Sequence, residues 1–110
     1  MIIGTTMLKL DANPYYSPQF NRGGNAADFL FYIQNITGGG EVEITIEHKN
    51  ANATSWNVLT SVGPCATTGP WQCSGSAIEE QLRIKYDLSG SAAVGDGIHV
   101  LALAPTWRPY

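Results

Sequence analysis

Short segments in which apolar and polar residues alternate recur along this chain of 110 residues. In residues 42–48 (VEITIEH) the apolar side chains fall on one parity and the charged or polar side chains fall on the other. This period of two is typical of a β-strand that buries one face and leaves the other face in water. We therefore predict that the chain is built of β-sheet.

Six or seven strand candidates can be placed in this way, and residues that favour turns separate them. The main candidates are residues 6–11, 28–36, 41–49, 56–62, 77–89 and 98–104. The third and fourth are predicted to form a hairpin through the small polar residues 50–55. Glu80 breaks the alternation of the fifth candidate, which indicates a bend or bulge, and only residues 77–83 offer a helical alternative. The last candidate is apolar on both parities, which predicts a central strand covered on both faces.

Two segments fall outside this pattern. Residues 12–27 are rich in Pro, Gly and Asn and are predicted to form an irregular N-terminal arm that carries three aromatic side chains. Residues 105–110 are predicted to form a short C-terminal tail, because their prolines should stop the sheet. The predicted fold is all-β, an antiparallel, jelly-roll-like β-sandwich in which residues 1–110 form one domain.

Composition and charge narrow the function classes. The chain is 44% hydrophobic and 14% charged and contains 12 glycines, which suits an ordered, loop-rich sandwich. Its six Lys and Arg residues are spread along the chain and its formal net charge is −3, so no basic stripe is available for nucleic acid. The first ten residues lack a basic leader and a continuous apolar stretch, so we expect neither a secretory signal nor a membrane span.

The residues suited to chemistry do not form a recognisable catalytic motif. No Gly-x-Ser-x-Gly elbow or similar context places a base beside a nucleophile, and alternating glutamates on a strand usually form its solvated face. His48 and His99 are expected to be structural, and with two cysteines they do not have the spacing of a zinc finger. The sequence therefore predicts a protein that is not an enzyme, with no catalytic residue, cofactor or metal ligand.

Cys65 and Cys73 flank a seven-residue segment that contains Gly and Pro. That composition predicts a loop or a broad hairpin tip. Two alternatives stay open for the thiols at this point. They are either free in a reducing compartment or joined in a local disulfide that closes the loop.

The remaining surface chemistry suits binding. Tyr, Trp and Arg are enriched at interface hot spots, because they bury a large area at a small cost in entropy. The arm and the tail are rich in these residue types, and the predicted contact surface consists of Tyr15, Tyr16, Phe20, Trp107, Arg108 and Tyr110. Trp107 has a second interpretation, in which it folds back and fills the end of the sandwich.

Several stretches resemble small β-sandwich proteins of tailed-bacteriophage virions. They are residues 42–50 (VEITIEHKN), 53–56 (ATSW), 80–86 (EQLRIKY) and 103–109 (LAPTWRP). The proteins that the chain resembles most are the decoration, or cement, proteins of the head, and the resemblance runs from about residue 41 to the end.

This resemblance implies a structural role on the outside of the virion. Such a protein is assembled in the host bacterial cytoplasm, binds between subunits of the major capsid protein and stabilises the shell through many copies of one modest contact. It also implies contact between copies of the chain, with a trimer favoured and a dimer as the alternative. Neither nucleic acid nor a membrane is an expected partner.

The alternative function is that of a glycan- or receptor-binding module from a phage tail or fibre. Trp71, with the neighbouring Gln72, is the predicted stacking platform for a sugar ring, whereas Trp56 is expected to pack in the core. The exposure of Trp71 should discriminate between the two functions. A rigid, exposed ring favours glycan binding, whereas a ring buried in a loop or against another subunit favours assembly.

Overall fold

The computed structural model describes residues 2–9, 15–36, 39–91 and 97–109. Within these ranges the chain forms strands and no helix, so the prediction of an all-β chain is confirmed. The strands are β1 (Ile2–Lys9), β2 (Tyr15–Tyr16), β3 (Phe20–Asn21), β4 (Ala26–Ile36), β5 (Gly39–Lys49), β6 (Asn57–Cys65), β7 (Gly69–Ser76), β8 (Gln81–Ser91), β9 (Gly97–Leu103) and β10 (Thr106–Arg108).

The strands pair antiparallel in two sheets that pack against each other as a β-sandwich. In the first, which we call sheet I, the order is β1, β9, β4, β7, and β10 pairs with the first residues of β4. In sheet II, β8 lies between β5 and the two short strands β2 and β3, and β6 forms the other edge beside β5. The predicted hairpin of β5 and β6 and the predicted central position of β9 are confirmed. The prediction that β9 is covered on both faces is wrong, because Leu101 and Leu103 on its outward side are only partly buried.

One contiguous core fills the space between the sheets. The alternation predicted for residues 42–48 is confirmed, because Val42, Ile44 and Ile46 are fully buried while Glu43 is exposed. The aromatic part of the core comes from both sheets, and Phe31 of sheet I meets Tyr86 of sheet II edge to face at 6.5 Å between ring centroids. Each fully buried aliphatic or phenyl side chain contributes about 1.5–3 kcal/mol to folding by leaving water.

The first and fifth strand candidates have different limits from those predicted. The first strand spans Ile2–Lys9 rather than residues 6–11, and residues 10 and 11 lie outside the described residues. The irregularity predicted at Glu80 is a bend that precedes β8, and it includes Ala77 in a left-handed conformation with φ of 54°.

The prediction that residues 12–27 hold no regular element is wrong for part of them. β2 and β3 pair with β8, and β4 already begins at Ala26. Between the two short strands, the Ser17 hydroxyl accepts a hydrogen bond from the Ile84 amide at 2.8 Å, and the Ser17 amide donates to the Ile84 carbonyl at 2.8 Å. A strand at the edge of a sheet needs partners on one side only, so a Pro-rich segment can be accommodated there.

The prediction that the C-terminal tail leaves the sheet is also wrong. Pro105 follows β9, but the chain rejoins the same sheet as β10, opposite Ala26–Asp28. This position is open because β9 pairs with β4 only from Phe31 onward. The tail therefore completes an edge of β4 that would otherwise lack hydrogen-bond partners.

The segment between Cys65 and Cys73 is not the predicted loop. Cys65 ends β6 and Cys73 lies within β7, so only residues 66–68 connect the two strands. Gly69 and Pro70 in this segment misled the prediction, since proline is normally excluded from the interior of a sheet. Pro70, like Pro64 in β6, is tolerated because β6 and β7 are edge strands of their sheets.

Candidate interaction surfaces

The outer face of sheet II carries most of the charge of the described residues. Because the even-numbered residues of β5 and β8 point into the core, the odd-numbered residues point to solvent. We call this surface the charged face. On β5 and β8 it consists of Glu41, Glu43, Thr45, Glu47, Lys49, Gln81, Arg83, Lys85 and Asp87. The register between the two strands has no bulge along this surface, so the side chains form regular rows.

An aromatic–arginine cluster occupies one half of the charged face. The guanidinium carbon of Arg83 lies 4.2 Å from the centroid of the Tyr16 ring and 4.6 Å from that of the Trp56 ring. The Nε of Arg83 donates a hydrogen bond of 2.7 Å to Glu47, which lies directly opposite on β5. The ammonium of Lys49 lies 5.1 Å from the Trp56 centroid. Two rings and a carboxylate thus fix the position of one guanidinium.

The contacts of this cluster account for the positions of Tyr16 in the arm and of Trp56. Tyr16 remains 47% exposed, although its ring is held by Arg83. Trp56 is partly exposed and lies on the outer face, so the expectation that it packs in the core is wrong. It precedes β6, and its ring lies over the two cations of the charged face instead of facing the core.

The other half of the charged face is acidic. Glu41 and Glu43 lie on successive outward positions of β5, and Asp87 lies directly opposite Glu43 on β8. Within the described parts of the chain, Glu41 and Glu43 form no ion pair, and neither does Lys85 next to the cluster. The face therefore has an acidic end and a basic, aromatic end.

The outer face of sheet I has a different character, and we call it the apolar face. Its outward positions on β4 and β9 include Leu30, Tyr32, Leu101 and Leu103, of which Tyr32 is the most exposed at 39%. At one end, Arg108 lies 3.2 Å from an oxygen of Asp28. The same carboxylate accepts a hydrogen bond of 2.7 Å from the hydroxyl of Ser74 on β7. This exposed pair joins three strands of the sheet but contributes little to stability.

The structure does not bring the six predicted contact residues into one surface. Tyr16 is exposed on the charged face, and Arg108 is exposed on the opposite side of the sandwich. Tyr15 and Phe20 are partly buried and pack against the core from the edge of sheet II. Tyr110 lies outside the described residues. Contact of these residues with a partner stays a prediction.

Trp107 fills the end of the sandwich, as in the second interpretation given above. Its ring meets Phe29 edge to face, with 6.4 Å between centroids, and packs against the core. Two glycines make room for this strand. A Cβ on Gly23 would lie 2.8 Å from the indole, and a Cβ on Gly24 would collide with the carbonyl of Arg108. The tail is therefore part of the packing of the subunit.

The predicted glycan platform is not assembled. Trp71 and Gln72 are adjacent on β7, so they point to opposite faces of sheet I. The Trp71 side chain is partly buried against the core, and its indole nitrogen donates a hydrogen bond of 3.1 Å to the carbonyl of Thr67. Gln72 is exposed on the other face. The two residues of the predicted platform therefore do not form one surface.

The two cysteines are free thiols where β6 and β7 approach each other between the sheets. Cys65 is fully buried, and this burial, with the nearby Cys73, raises the pKa of its thiol to about 11. Burial also raises the pKa of Cys73 to about 11, against a smaller lowering by a hydrogen bond with Thr60. Both thiols are therefore protonated near neutral pH and are poor nucleophiles.

Other ionisable side chains serve local structure. The Nδ1 atom of His48 accepts a hydrogen bond of 3.1 Å from the amide of Glu79, and its Nε2 lies 3.6 Å from the Glu79 carboxylate. The Glu80 carboxylate accepts a hydrogen bond of 2.9 Å from the amide of Ala51. These contacts tie the bend before β8 to the loop between β5 and β6. Among the described residues, no three His, Cys, Asp or Glu side chains come together as a metal site.

Sequence reasoning identified Tyr16 but missed the residues that hold it. The available signal was that Glu47 and Arg83 have opposite charges and lie on the polar parity of two predicted strands. Their pairing depends on the register between β5 and β8, and this register cannot be predicted from a local sequence pattern.

Comparisons with known proteins identify no family. No family model, no curated protein and no solved structure matches the chain. In the parts of the chain that the structure describes, no helix has the length and apolar character needed to span a bilayer.

Proposed function

We propose that this chain is a virion structural protein of a tailed bacteriophage, a decoration (cement) protein that binds between major capsid protein subunits on the outside of the head. Its function is mechanical. Many copies of one modest contact hold neighbouring capsid subunits together, so the strength of the shell comes from repetition. The contacts of the protein are with the major capsid protein and with copies of itself. The proposal starts from the resemblance of residues 41–109 to such proteins.

The order of the strands is the observation that carries the proposal. If β2 and β3 count as one interrupted strand and β10 as a continuation of β9, the eight strands run 1-8-3-6 in sheet I and 2-7-4-5 in sheet II. We interpret this order as that of a jelly roll, in which successive strands wrap around the sandwich. Jelly rolls are the domains of many viral capsid proteins and also of lectins. The fold alone serves several functions, and the resemblance favours the virion.

The two outer faces are consistent with a structural role. Each carries an exposed aromatic side chain, Tyr16 on the charged face and Tyr32 on the apolar face. A protein that links its own copies to a shell needs at least two separate contact surfaces. The sandwich offers two surfaces of different character on opposite sides.

Co-sedimentation tests the capsid contact directly. Capsids of the virus that encodes this chain, prepared without the protein, would be mixed with the purified chain and centrifuged, and the native mass of the free protein would be measured by light scattering. We expect a discrete oligomer that saturates the capsids at a fixed number of copies per capsid subunit. A protein that stays in the supernatant would contradict the proposal. Binding of the same sample to a glycan array would then support the receptor-binding alternative.

A further inference from the structure

We propose that the charged face is the surface through which two copies of this chain associate about a two-fold axis, with the acidic end of each face against the basic end of the other. The inference rests on the proposed function in one respect, since both include contact between copies. It goes further by naming the surface, the symmetry and the pairs of residues. A two-fold contact gives a dimer rather than the trimer that the resemblance favours.

The distribution of charge along the face is the first argument. Three carboxylates, those of Glu41, Glu43 and Asp87, lie toward one end. The cations Lys49, Arg83 and Lys85 lie toward the other end, where Glu47 is already paired with Arg83. A uniformly basic surface would favour nucleic acid or an anionic membrane. A surface with one end of each sign is complementary to itself.

Symmetry determines how two such faces can meet. If one copy is rotated by half a turn about an axis that crosses the strands, its basic end lies over the acidic end of the other copy. Every contact in such an isologous interface occurs twice. In this arrangement Glu43 of one copy meets Lys85 of the other, and Lys85 of the first meets Glu43 of the second.

These two residues are suited to a contact with another copy. Glu43 is exposed, and within the described part of the chain neither Glu43 nor Lys85 takes part in an ion pair. They are diagonal neighbours across β5 and β8, since Glu43 lies opposite Asp87 and Lys85 lies opposite Thr45. The subunit therefore holds both charges on the same face without joining them.

Exposed apolar side chains on the same face are the second argument. Among the described residues, three large hydrophobic side chains are exposed, and two of them, Tyr16 at 47% and Val58 at 64%, lie on this face. Val58 faces outward because it lies opposite Glu47 in the pairing of β5 with β6. Interfaces are anchored by side chains of this kind, and Tyr16 is already held by Arg83, so it loses little freedom on binding.

Analytical ultracentrifugation of the full chain tests the proposal. We expect a dimer at 50 mM NaCl, with a dissociation constant at least tenfold higher at 1 M NaCl, because the Debye length falls from roughly 10 Å at 0.1 M to about 3 Å at 1 M. Glu43→Lys and Lys85→Glu should each weaken the dimer at least tenfold, since each places like charges together twice. A monomer at low salt, a trimer, or a dimer that neither substitution affects would overturn the proposal.

Mixing the two variants provides the decisive measurement. In a heterodimer of Glu43→Lys and Lys85→Glu, one contact pairs the new lysine with the new glutamate and the other contact is native. We therefore expect the mixture to regain the affinity of the unsubstituted dimer, although each variant alone is monomeric at the same concentration. A charge effect within one subunit cannot produce this result, and a mixture that stays monomeric would contradict the two-fold contact.

A matched control separates the position of the charge from its amount. The double substitution Gln34→Lys with Gln72→Lys changes the net charge by the same amount as Glu43→Lys, but on exposed positions of the apolar face. It should leave the dimer unchanged, and far-ultraviolet circular dichroism checks that each variant is folded. Capsid co-sedimentation is measured separately. A dimer that does not bind capsids would contradict the decoration role and support the two-fold contact. A monomer that binds capsids would contradict the two-fold contact and support the decoration role.

Discussion

The two outer faces of this sandwich differ although the two inner faces are alike. Both sheets bury alternate apolar residues in one core, but the charged face presents both signs of charge with an aromatic–arginine cluster, and the apolar face presents leucines and Tyr32. Inward positions are constrained by packing in every sandwich. Outward positions are constrained only by what they contact, so the difference between the faces carries information about function.

The arm and the tail show the same division. Each is a Pro-containing segment that docks at a sheet edge, and in each an inward-facing aromatic side chain lies next to an outward-facing side chain. Tyr15 points inward beside Tyr16, which faces solvent on sheet II. Trp107 points inward beside Arg108, which faces solvent on sheet I. Substitutions of the inward residues should therefore change the stability of the subunit, and substitutions of the outward residues should change its contacts with partners.

The largest expected effect is at Trp107. Replacing it with Ala should lower the free energy of unfolding by about 2–3 kcal/mol, less than for a fully buried Trp, because the indole is partly exposed. Urea denaturation at 1 M NaCl, at a protein concentration below the dissociation constant of the proposed dimer, measures the subunit alone. Arg108→Ala is the control on the same strand and should cost less than about 1 kcal/mol, since its ion pair is exposed. Equal effects of the two substitutions would mean that the tail does not pack as described.

The cysteines report on the interior between the two faces. With a thiol pKa of about 11, each should react with iodoacetamide at pH 8 at least about 100-fold more slowly than in the urea-unfolded chain, where the pKa is near 8.5. The pKa of each thiol is higher in the folded chain than in the unfolded chain. The contribution of the thiols to the free energy of unfolding is therefore complete below about pH 8.5 and is lost as the pH rises toward 11. The fall in unfolding free energy over this range should be smaller in Cys65→Ala. Fast labelling of the folded chain would contradict the burial of the thiols.

A smaller effect is expected at Arg83, in the middle of the charged face. Arg83→Ala removes contacts with two rings and an ion pair with Glu47, which together should cost about 1–2 kcal/mol of subunit stability. Lys85→Ala on the same strand should change the stability by less than about 0.5 kcal/mol, because it has no ion pair among the described residues. Urea denaturation of both variants compares them. Similar losses would show that the cluster does not stabilise the subunit.

The smallest expected effect is at Tyr32, and it tests the comparison of the faces directly. Tyr32→Ser should change the dissociation constant of the dimer less than twofold, whereas Tyr16→Ser should raise it about fivefold, as expected for loss of an interface anchor. Sedimentation equilibrium of the two variants at 50 mM NaCl gives both constants. The opposite ranking would move the contact between copies to the apolar face.

The sequence by itself determined the fold class, most of the strands and, for β5 and β8, which side of the strand faces the core. These properties follow from local alternation, as in Val42, Ile44 and Ile46, and alternation is present in the chain before any contact forms. The hairpin of β5 and β6 was also predictable, because its two arms and its turn are consecutive.

Only the tertiary structure decided which distant segments meet. Proline predicts the end of a strand locally, but an edge strand tolerates it, so the arm, the tail and the strand after Cys65 became part of the sheets. Arg83 meets Glu47, Tyr16 and Trp56 because β8 pairs with β5 and with β2 in one register. Register is set by the packing of the whole core, and a shift of one residue would turn every one of these side chains to the other face.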